Sequence, residues 1–199
     1  MKRLVVFCGI PGSGKTTIAS ALAVKLSRSA HIETDRVRDM VLPQKYSAAE
    51  SRFVYSAVIA MGRSALISGY DAILDGTFLR EDFRKEALDR LEHLSAAHLV
   101  VHVVCDPELA MRRNAGRKNA VPKERLMRIY RNFEVPKDAV TIDTSKVSPE
   151  EAAEILLARL EAKTFVRTTE SVGPAYNDSA RRTFLDGPRG PFRSRPRGV

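Results

Sequence analysis

Near its N-terminus the chain reads Gly9-Ile10-Pro11-Gly12-Ser13-Gly14-Lys15-Thr16. This segment matches the pattern G-x-x-x-x-G-K-[ST], in which a glycine-rich loop turns its backbone N–H groups toward phosphate. An unbroken apolar run, Leu4-Val5-Val6-Phe7-Cys8, precedes the segment and predicts a strand that is buried on both faces. Residues 17–26 predict a helix whose positive N-terminal end faces the loop. The segment therefore predicts a phosphate-binding loop in the strand–loop–helix context that the motif requires.

Within this loop, each residue type suits a particular part of a nucleoside triphosphate. Lys15 reaches the outer phosphates, and the Thr16 hydroxyl is suited to hold Mg²⁺. We therefore predict that ATP binds along the loop, and the residues that contact it are Gly9, Pro11, Gly12, Ser13, Gly14, Lys15, Thr16 and Thr17. The alternative interpretation is a glycine-rich turn that carries an exposed lysine.

Strand-like and helix-like segments alternate along the chain after the loop. Strand-like segments at residues 31–34, 72–74, 99–105 and 139–142 predict four further strands. A capping box at residues 47–50 begins a long helix that extends to about Ser68. Its apolar stripe consists of Val54, Val58, Met61 and Ala65. The alternation predicts an α/β fold of the P-loop NTPase class, with helices on both faces of a parallel sheet of about five strands.

Asp35 follows the second predicted strand, at the edge where sheets of this kind bind their ligands. Arg38 comes about one helical turn later. We predict that Asp35 accepts the proton of an attacking hydroxyl and that Arg38 binds an anionic substrate. The alternatives are a helix N-cap for Asp35 and a solvated helix surface for Arg38.

Asp75 ends the third predicted strand, which is the position of the magnesium-linked acid in enzymes that transfer phosphate. Thr77 adds a hydroxyl two residues later. We predict that Asp75 contacts the metal ion or the acceptor and that Thr77 contacts the acceptor. The alternative for Asp75 is a turn-forming acid before Gly76.

The net charge of +9 is concentrated in two regions of the chain. Residues 112–131 carry a net charge of +7, and Gly116 interrupts the arginine cluster there. This arrangement predicts a lid over about residues 112–122, in which Arg113 and Arg117 close over the transferring phosphate. The alternative is a solvated basic face of a helix.

The second basic region is the C-terminal segment, residues 165–199, with a net charge of +4. Residues 173–199 are rich in glycine, proline and arginine and have no periodic apolar face. The composition predicts one domain over residues 1–164 and a disordered basic tail over residues 165–199. Such a tail would attract nucleic acid without sequence preference.

Composition limits the remaining classes of protein. A length of 199 residues with 44% hydrophobic content suits one globular domain. Because no apolar run approaches the ~20 residues of a membrane span, no membrane partner is expected. The first residues lead directly into the strand before the loop, so a secretory leader is not expected either. Cys8 and Cys105 are predicted to be buried core residues, and the histidines lack metal-ligand spacing, so we expect a cytoplasmic protein.

Three motifs occur in an order that resembles a known group of kinases. They are the loop at residues 9–16, the pair Asp35-x-x-Arg38 and the lid sequence Arg113-Asn-x-x-Arg117, which Ala120-Val121-Pro122 follows. Over about residues 1–135 the chain resembles the kinase half of polynucleotide 5′-hydroxyl kinase/3′-phosphatases. More broadly, it is similar to the small P-loop kinases that include zeta-toxin-like and gluconate-kinase-like proteins.

The resemblance implies a role for each motif. Lys15 and Thr16 would bind the phosphates and the metal ion, and Asp35 would be the general base. Arg38 would hold a phosphate of the acceptor, and the two lid arginines would close on the transferring group. The sequence Asp75-Gly76-Thr77 only partly matches the Asp-Thr-Asn of that kinase half, so the identity of the acceptor stays open.

These residues together predict an ATP- and Mg²⁺-dependent kinase that transfers the γ-phosphoryl group to a hydroxyl. The leading acceptor is a nucleic-acid 5′-hydroxyl, followed by a small metabolite. One alternative class is a nucleotide hydrolase or switch that has no acceptor, in which Asp35 is only a cap. Another is a nucleic-acid-binding module in which ATP is regulatory.

Overall fold

The computed structural model describes residues 1–41, 46–117 and 120–170, with side chains as far as residue 164. In that part of the chain five strands form one parallel sheet in the order β2-β3-β1-β4-β5. The strands are β1 (Arg3–Cys8), β2 (Ser29–Glu33), β3 (Asp71–Asp75), β4 (Ala97–Val104) and β5 (Val140–Asp143). The sheet confirms the predicted α/β fold.

Helices cover both faces of the sheet. They are α1 (Lys15–Lys25), α2 (Thr34–Arg38), α3 (Ala48–Ile67), α4 (Glu81–Leu91), α5 (Pro107–Ala115), α6 (Lys123–Arg131) and α7 (Pro149–Glu170), and a 3₁₀ turn follows α4 at Glu92–Leu94. Apolar residues of α3 and α4 form the core on one face, and those of α1 and α7 form the core on the other. Among the described residues, no helix combines the length and the apolar character that crossing a membrane requires.

Helix α7 begins at a capping box and extends beyond residue 164, where the sequence placed the end of the domain. The Ser148 hydroxyl accepts a hydrogen bond from the Glu151 backbone N–H at 3.2 Å, and the Glu151 carboxylate accepts one from the Ser148 N–H at 2.8 Å. These reciprocal bonds satisfy N–H groups that the first turn of a helix leaves unpaired. The predicted tail from residue 171 onward lies outside the described residues.

The central strand β1 lies between β3 and β4, and it marks the point where the winding of the chain reverses. From β1 the chain crosses to β2 on one side of the sheet, and later it adds β4 and β5 on the other side. Phe7 and Glu33 both pair in register with Asp75, so the carboxyl ends of β1, β2 and β3 are level. Open α/β sheets bind ligands at such a switch point, and the phosphate loop begins there.

Some boundaries differ from the sequence prediction. Strand β2 ends at Glu33, which is the N-cap of α2, so Asp35 lies inside the first turn of that helix. The alternative in which Asp35 caps the helix is therefore wrong. Strand β4 ends at Val104, which leaves Cys105 outside the sheet. Cys105 is half-buried beside the phosphate loop, with its Sγ 3.9 Å from the Gly12 carbonyl oxygen, and is not a core residue as predicted.

The buried face of α3 also differs from the predicted stripe at one position. Met61 is 46% exposed, and the neighbouring Gly62 takes its place against the sheet. A Cβ atom at Gly62 would lie only 2.9 Å from a side-chain carbon of Leu74 in β3. The missing side chain therefore allows the helix to pack closely on the sheet, which an apolar pattern cannot reveal.

Candidate active site

The loop between β1 and α1 depends on two glycines that no other residue could replace. Gly9 and Gly12 have positive φ angles of 144° and 84°. A Cβ atom at Gly9 would lie 2.3 Å from the Val103 carbonyl oxygen, and one at Gly12 would lie 2.2 Å from that of Ala110. Both the backbone angles and the space require glycine. The loop can therefore pass directly against β4 and α5.

Lys15 folds back over its own loop, and its Nζ donates a hydrogen bond to the Ile10 carbonyl oxygen at 2.9 Å. The residue is only 8% exposed. Burial lowers the pKa of Lys15, and the negative charges of Asp75 and Asp35 act in the opposite direction. The alternative of an exposed lysine is therefore wrong.

Ser13, in the same loop, has a buried hydroxyl that makes no hydrogen bond within the described part of the chain. A buried polar atom without a partner is costly in a packed core, and it is a common feature of ligand sites. The orphaned hydroxyl and the glycine backbone fit a loop that binds an anion.

Asp75 is buried at the end of β3, and its side chain hydrogen-bonds that of His31. Its Oδ2 lies 3.2 Å from Nε2 of His31 on the neighbouring strand β2. Burial acts to raise the pKa of Asp75, but the bond with His31, the charge of Lys15 and the Thr16 hydroxyl together lower it. The carboxylate is therefore ionised at neutral pH and lies beside the start of α1.

Thr16 and Asp75, whose side chains both carry oxygen atoms, line the same pocket at the phosphate loop. Oxygen is the ligand atom that Mg²⁺ prefers, and this ion usually takes one or two protein ligands and completes its shell with phosphates and water. Within the described ranges, no group of three or more histidine, cysteine, aspartate or glutamate residues could hold a metal ion. The two residues therefore fit an Mg²⁺ ion that arrives with a nucleotide, rather than a permanent metal centre.

One pocket brings together most of the residues predicted to form the site. It is lined by Lys15, Thr16, Asp35, Arg38, Asp75, Thr77 and Arg117. Arg117 Nη2 donates to Asp35 Oδ2 at 3.2 Å, and the two side chains are 40% and 66% exposed. The lid arginine and the candidate base are thus in direct contact.

Arg38 is held in an ion pair with Glu50 at the start of α3, where both side chains are largely buried. Glu50 also accepts a hydrogen bond from the Tyr46 backbone N–H at 2.7 Å. The Ser47 hydroxyl caps α3 as predicted, but the Glu50 carboxylate binds Arg38 and Tyr46. Arg38 is therefore not a solvated surface residue.

Arg113 has different partners from Arg117. Its Nη1 donates to Oγ1 of Thr144 at 2.8 Å, and the same hydroxyl donates to the Ser13 carbonyl oxygen at 2.9 Å. Arg113 does not line the pocket that contains Asp35. The two predicted lid arginines therefore make different contacts. Arg113 is linked to the phosphate loop through Thr144, the residue after β5.

Two further residues contribute to the site although the sequence analysis gave them no role. His31 contacts Asp75, but only the order of the strands reveals that these two side chains meet. Asn114 is buried at the end of α5, where its Nδ2 donates to the Val121 carbonyl oxygen at 2.8 Å and its Oδ1 accepts from the Val121 N–H at 3.1 Å. The amide therefore links the beginning of the predicted lid to its end. Lys118 and Asn119 of the lid lie outside the described residues.

One relative with a similar sequence is named as a kinase. The chain is 21% identical over 154 residues to an L-seryl-tRNA(Sec) kinase of Methanococcus maripaludis. The similarity covers 72% of this chain and 60% of that protein, so the chain spans less than two thirds of the length of this relative.

Solved structures of kinases share the fold. A sugar kinase of Janibacter sp. HTCC2649 superposes with a TM-score of 0.63 at 22% identity, over 83% of this chain and 98% of that one. The Mycobacterium tuberculosis APS kinase CysC, in complex with AMPPNP and APS, superposes with a TM-score of 0.64 at 18% identity, over 80% and 98%. Residues 4–136 match the AAA domain family AAA_33. Because this match extends over more than half of the chain, the chain belongs to the AAA domain family AAA_33, and it shares its P-loop fold with these small kinases.

Proposed function

We propose that this protein is an ATP- and Mg²⁺-dependent kinase that transfers the γ-phosphoryl group of ATP to a hydroxyl. The observation that carries the proposal is the single pocket that joins Lys15 and Asp75 of the phosphate site to the exposed carboxylate of Asp35. A kinase needs a base beside its phosphate site, and Asp35 supplies one. The names of the relatives, which are kinases of seryl-tRNA, a sugar and APS, support the same class of reaction.

In the proposed reaction, the oxygen of the acceptor hydroxyl forms a bond to the γ-phosphorus, and Asp35 accepts the proton of that hydroxyl. The bond between that phosphorus and the bridging oxygen breaks, and ADP leaves with the electron pair. Lys15 and Arg117 stabilise the negative charge on the phosphate oxygens. Bound Mg²⁺, held through Thr16 and Asp75, would neutralise further phosphate charge.

Two of the predicted site residues have less direct roles in this proposal. Thr77 lines the pocket and would contact the acceptor, and its backbone carbonyl oxygen accepts a hydrogen bond from the Gly9 N–H at 3.2 Å. Thr77 would thus link the acceptor side of the pocket to the phosphate loop. Arg113 would position that loop through Thr144, and would not touch the transferring phosphate itself.

The acceptor that we place first is a nucleic-acid 5′-hydroxyl, ahead of a small metabolite. The pocket carries Arg38, Arg117 and Arg125, and guanidinium groups suit the phosphates of a nucleic acid. Four acids, Glu33, Asp35, Asp39 and Asp75, also line it. The basic C-terminal segment, with its net charge of +4, would add contacts with nucleic acid that do not depend on sequence. A relative named as a kinase of seryl-tRNA supports a substrate that contains nucleic acid, while a neighbour named as a sugar kinase favours a small acceptor.

The decisive experiment is a transfer assay with γ-labelled ATP and three kinds of acceptor: 5′-hydroxyl oligonucleotides, small polyols and sugars, and water alone. We expect label on an acceptor and little release of phosphate into water. Lys15→Ala should reduce transfer at least ~100-fold. The exposed Lys85→Ala is the matched control and should retain the parent rate. Equal release of labelled phosphate with and without acceptors would identify a hydrolase instead.

A further inference from the structure

We propose that Tyr55 determines the specificity of this site. Its phenolic hydroxyl donates a hydrogen bond to an uncharged oxygen that the acceptor carries next to its reactive hydroxyl. This role rests on the proposed function, and it specifies the acceptor more closely. Tyr55 lies on α3, outside the three motifs that the sequence singled out, and it lines the same pocket as Asp35 and Thr77.

The contacts of Tyr55 place its hydroxyl, rather than its ring, toward the pocket. The hydroxyl oxygen accepts a hydrogen bond from the backbone N–H of Phe78 at 3.1 Å, and Phe78 directly follows Thr77 of the pocket lining. The ring packs against the rings of Phe78 and Phe83, with 4.8 Å and 4.2 Å between the centres. Because Tyr55 is only 7% exposed, these contacts hold its ring in the core and fix the hydroxyl in position.

The peptide unit between Thr77 and Phe78 joins this hydroxyl to the phosphate loop. Its N–H donates to Tyr55, and its carbonyl oxygen accepts from the Gly9 N–H at 3.2 Å. Phe78 has a φ of 39°, in the left-handed region that a bulky side chain rarely adopts. Such a conformation persists only where surrounding contacts hold it, and it is most common at functional sites. Here Tyr55 holds it together with buried Arg84, whose Nη1 donates to the Phe78 carbonyl oxygen at 2.6 Å.

The Tyr55 hydroxyl accepts a hydrogen bond from this peptide, but its own hydrogen is still available. A tyrosine hydroxyl can donate one hydrogen bond as well as accept. Among the described residues, no group accepts the hydrogen of Tyr55. A buried polar hydrogen without a partner is costly, and a ligand that brings an oxygen to it removes that cost. Burial raises the pKa of Tyr55 to about 12, so the hydroxyl keeps its hydrogen at neutral pH.

The balance of charges in the pocket favours an uncharged partner for this hydrogen. Of the residues that the structure describes, four acidic and four basic ones line the pocket, so it has no excess of positive charge for an anion. Two of them, Asp35 and Arg38, act on the pKa of Tyr55 in opposite directions. The phenol brings no charge of its own, and the desolvation of an anion without an opposite charge is costly. The partner oxygen is therefore that of a hydroxyl or an ether.

An uncharged oxygen next to a reactive hydroxyl occurs in two kinds of acceptor. In a nucleoside it is the ring oxygen, on the carbon next to the one that bears the 5′-hydroxyl. In a polyol it is the hydroxyl on the adjacent carbon. Two matched pairs of probes separate these sources. The first pair is thymidine and its carbocyclic analogue, in which a CH₂ group replaces the ring oxygen, and the second is glycerol and propane-1,3-diol, which lacks the middle hydroxyl.

The test measures equilibrium binding of each probe to the full chain in the presence of a non-hydrolysable ATP analogue, together with label transfer from γ-labelled ATP. The parent protein should bind the oxygen-bearing member of one pair about 3- to 10-fold more tightly, the range for an uncharged hydrogen bond. Tyr55→Phe keeps the ring and removes the hydroxyl, so it should bind both members of that pair equally. Tyr70→Phe, the same change at a tyrosine that is 38% exposed, is the control and should keep the parent ratio.

The ratio of the two affinities distinguishes contact with the acceptor from a purely structural role. Loss of the bond to Phe78 alone would weaken both members of a pair by the same factor, and the ratio would not change. A parent ratio retained in Tyr55→Phe would therefore overturn the inference, even if label transfer occurs. Equal binding within both pairs, or no measurable binding of either oxygen-bearing probe, would also overturn it. These last two measurements use the parent protein, so they decide even if Tyr55→Phe does not fold.

The outcomes also separate this role of Tyr55 from the proposed function. A ratio that depends on Tyr55, without label transfer to any acceptor, would keep the contact and overturn the kinase proposal. Label transfer with a ratio that does not depend on Tyr55 would do the reverse. The pair of probes that responds identifies the source, a nucleoside or a polyol.

Discussion

Arg117 of the lid donates a hydrogen bond to Asp35, the candidate base, with 3.2 Å between Nη2 and Oδ2. Both side chains are substantially exposed, so the pair contributes only about 0–1 kcal/mol and exchanges readily. A triphosphate offers Arg117 more negative charge than one carboxylate does. We therefore expect Arg117 to leave Asp35 when ATP binds, which frees the carboxylate to accept a proton from the acceptor.

The first prediction concerns Asp35 itself. Asp35→Asn keeps the shape of the side chain but removes the base, so transfer to the acceptor should fall by about 10²–10⁴-fold while ATP binding stays near normal. Steady-state transfer and nucleotide titration measure the two effects. Asp89→Asn, a change to an exposed carboxylate that pairs with Lys85 on α4, is the control. Transfer at the parent rate in Asp35→Asn would remove Asp35 from the mechanism.

Arg117 should matter more for turnover than for binding. Its proposed role is to stabilise charge that develops in the transition state, so Arg117→Ala should lower kcat more than it raises the KM for ATP. The exposed Arg112 on α5 provides a matched change, Arg112→Ala, which should leave both constants unchanged. A normal kcat in Arg117→Ala would show that Arg117 is a solvated residue with no role in the transition state.

The ion pair between Arg38 and Glu50 should contribute to stability, in contrast to the exposed pair above. Both side chains are largely buried, and Glu50→Ala would remove the carboxylate that pairs with the guanidinium of Arg38. We expect the free energy of unfolding to fall by about 3 kcal/mol in urea titrations. Glu86→Ala, which removes an exposed partner of Arg90 on α4, should cost less than about 1 kcal/mol. Similar losses in the two variants would contradict this difference.

Local patterns were sufficient to predict the sheet and the loop. The apolar run before Gly9, the helix after it and the glycine spacing are all properties of adjacent residues, and they define the phosphate site without tertiary information. The rule that parallel strands end at one edge was also enough to place Asp35 and Asp75 on the same side as Lys15, as the pocket confirms.

Contacts between segments that are distant in the chain could not be predicted from the sequence. His31 meets Asp75 because β2 and β3 are neighbours, although 44 residues separate the two in the chain. Arg113 and Arg117 are close in sequence and predict a common lid. Because α5 ends between them, however, Arg113 contacts Thr144 and Arg117 contacts Asp35. Arg125 falls in a generally basic stretch, where only its contact with Tyr46 distinguishes it from its neighbours.

The basic C-terminal segment should affect nucleic-acid binding but not the transfer reaction. Deleting residues 173–199 should leave transfer to a dinucleotide intact, because the described residues that line the pocket all precede residue 130. The same deletion should flatten the salt dependence of binding to a long single strand, since fewer counter-ions are released. Loss of transfer to the dinucleotide would mean that the segment takes part in the site.

His102 should make the stability of the protein depend on pH near neutrality. It lies on β4 with its ring stacked on Phe133 at 5.1 Å between the centres. Burial lowers its pKa below the ordinary value of 6.5, and the charges of Arg84 and Lys15 lower it further. The unfolded chain therefore binds a proton on this residue more readily than the folded protein does. The stability it contributes is fully present above about pH 6.5 and is lost as the pH falls through the lower pKa of the folded state.

The measurement is the free energy of unfolding by urea at several values between about pH 5 and pH 7.5. His102→Gln should reduce the slope of stability against pH in this range, because glutamine does not titrate. His93→Gln, a change at an exposed histidine after α4, should retain the parent slope. If His102→Gln keeps the full slope, another group is responsible for the pH dependence, and the stacked, partly buried histidine does not control it.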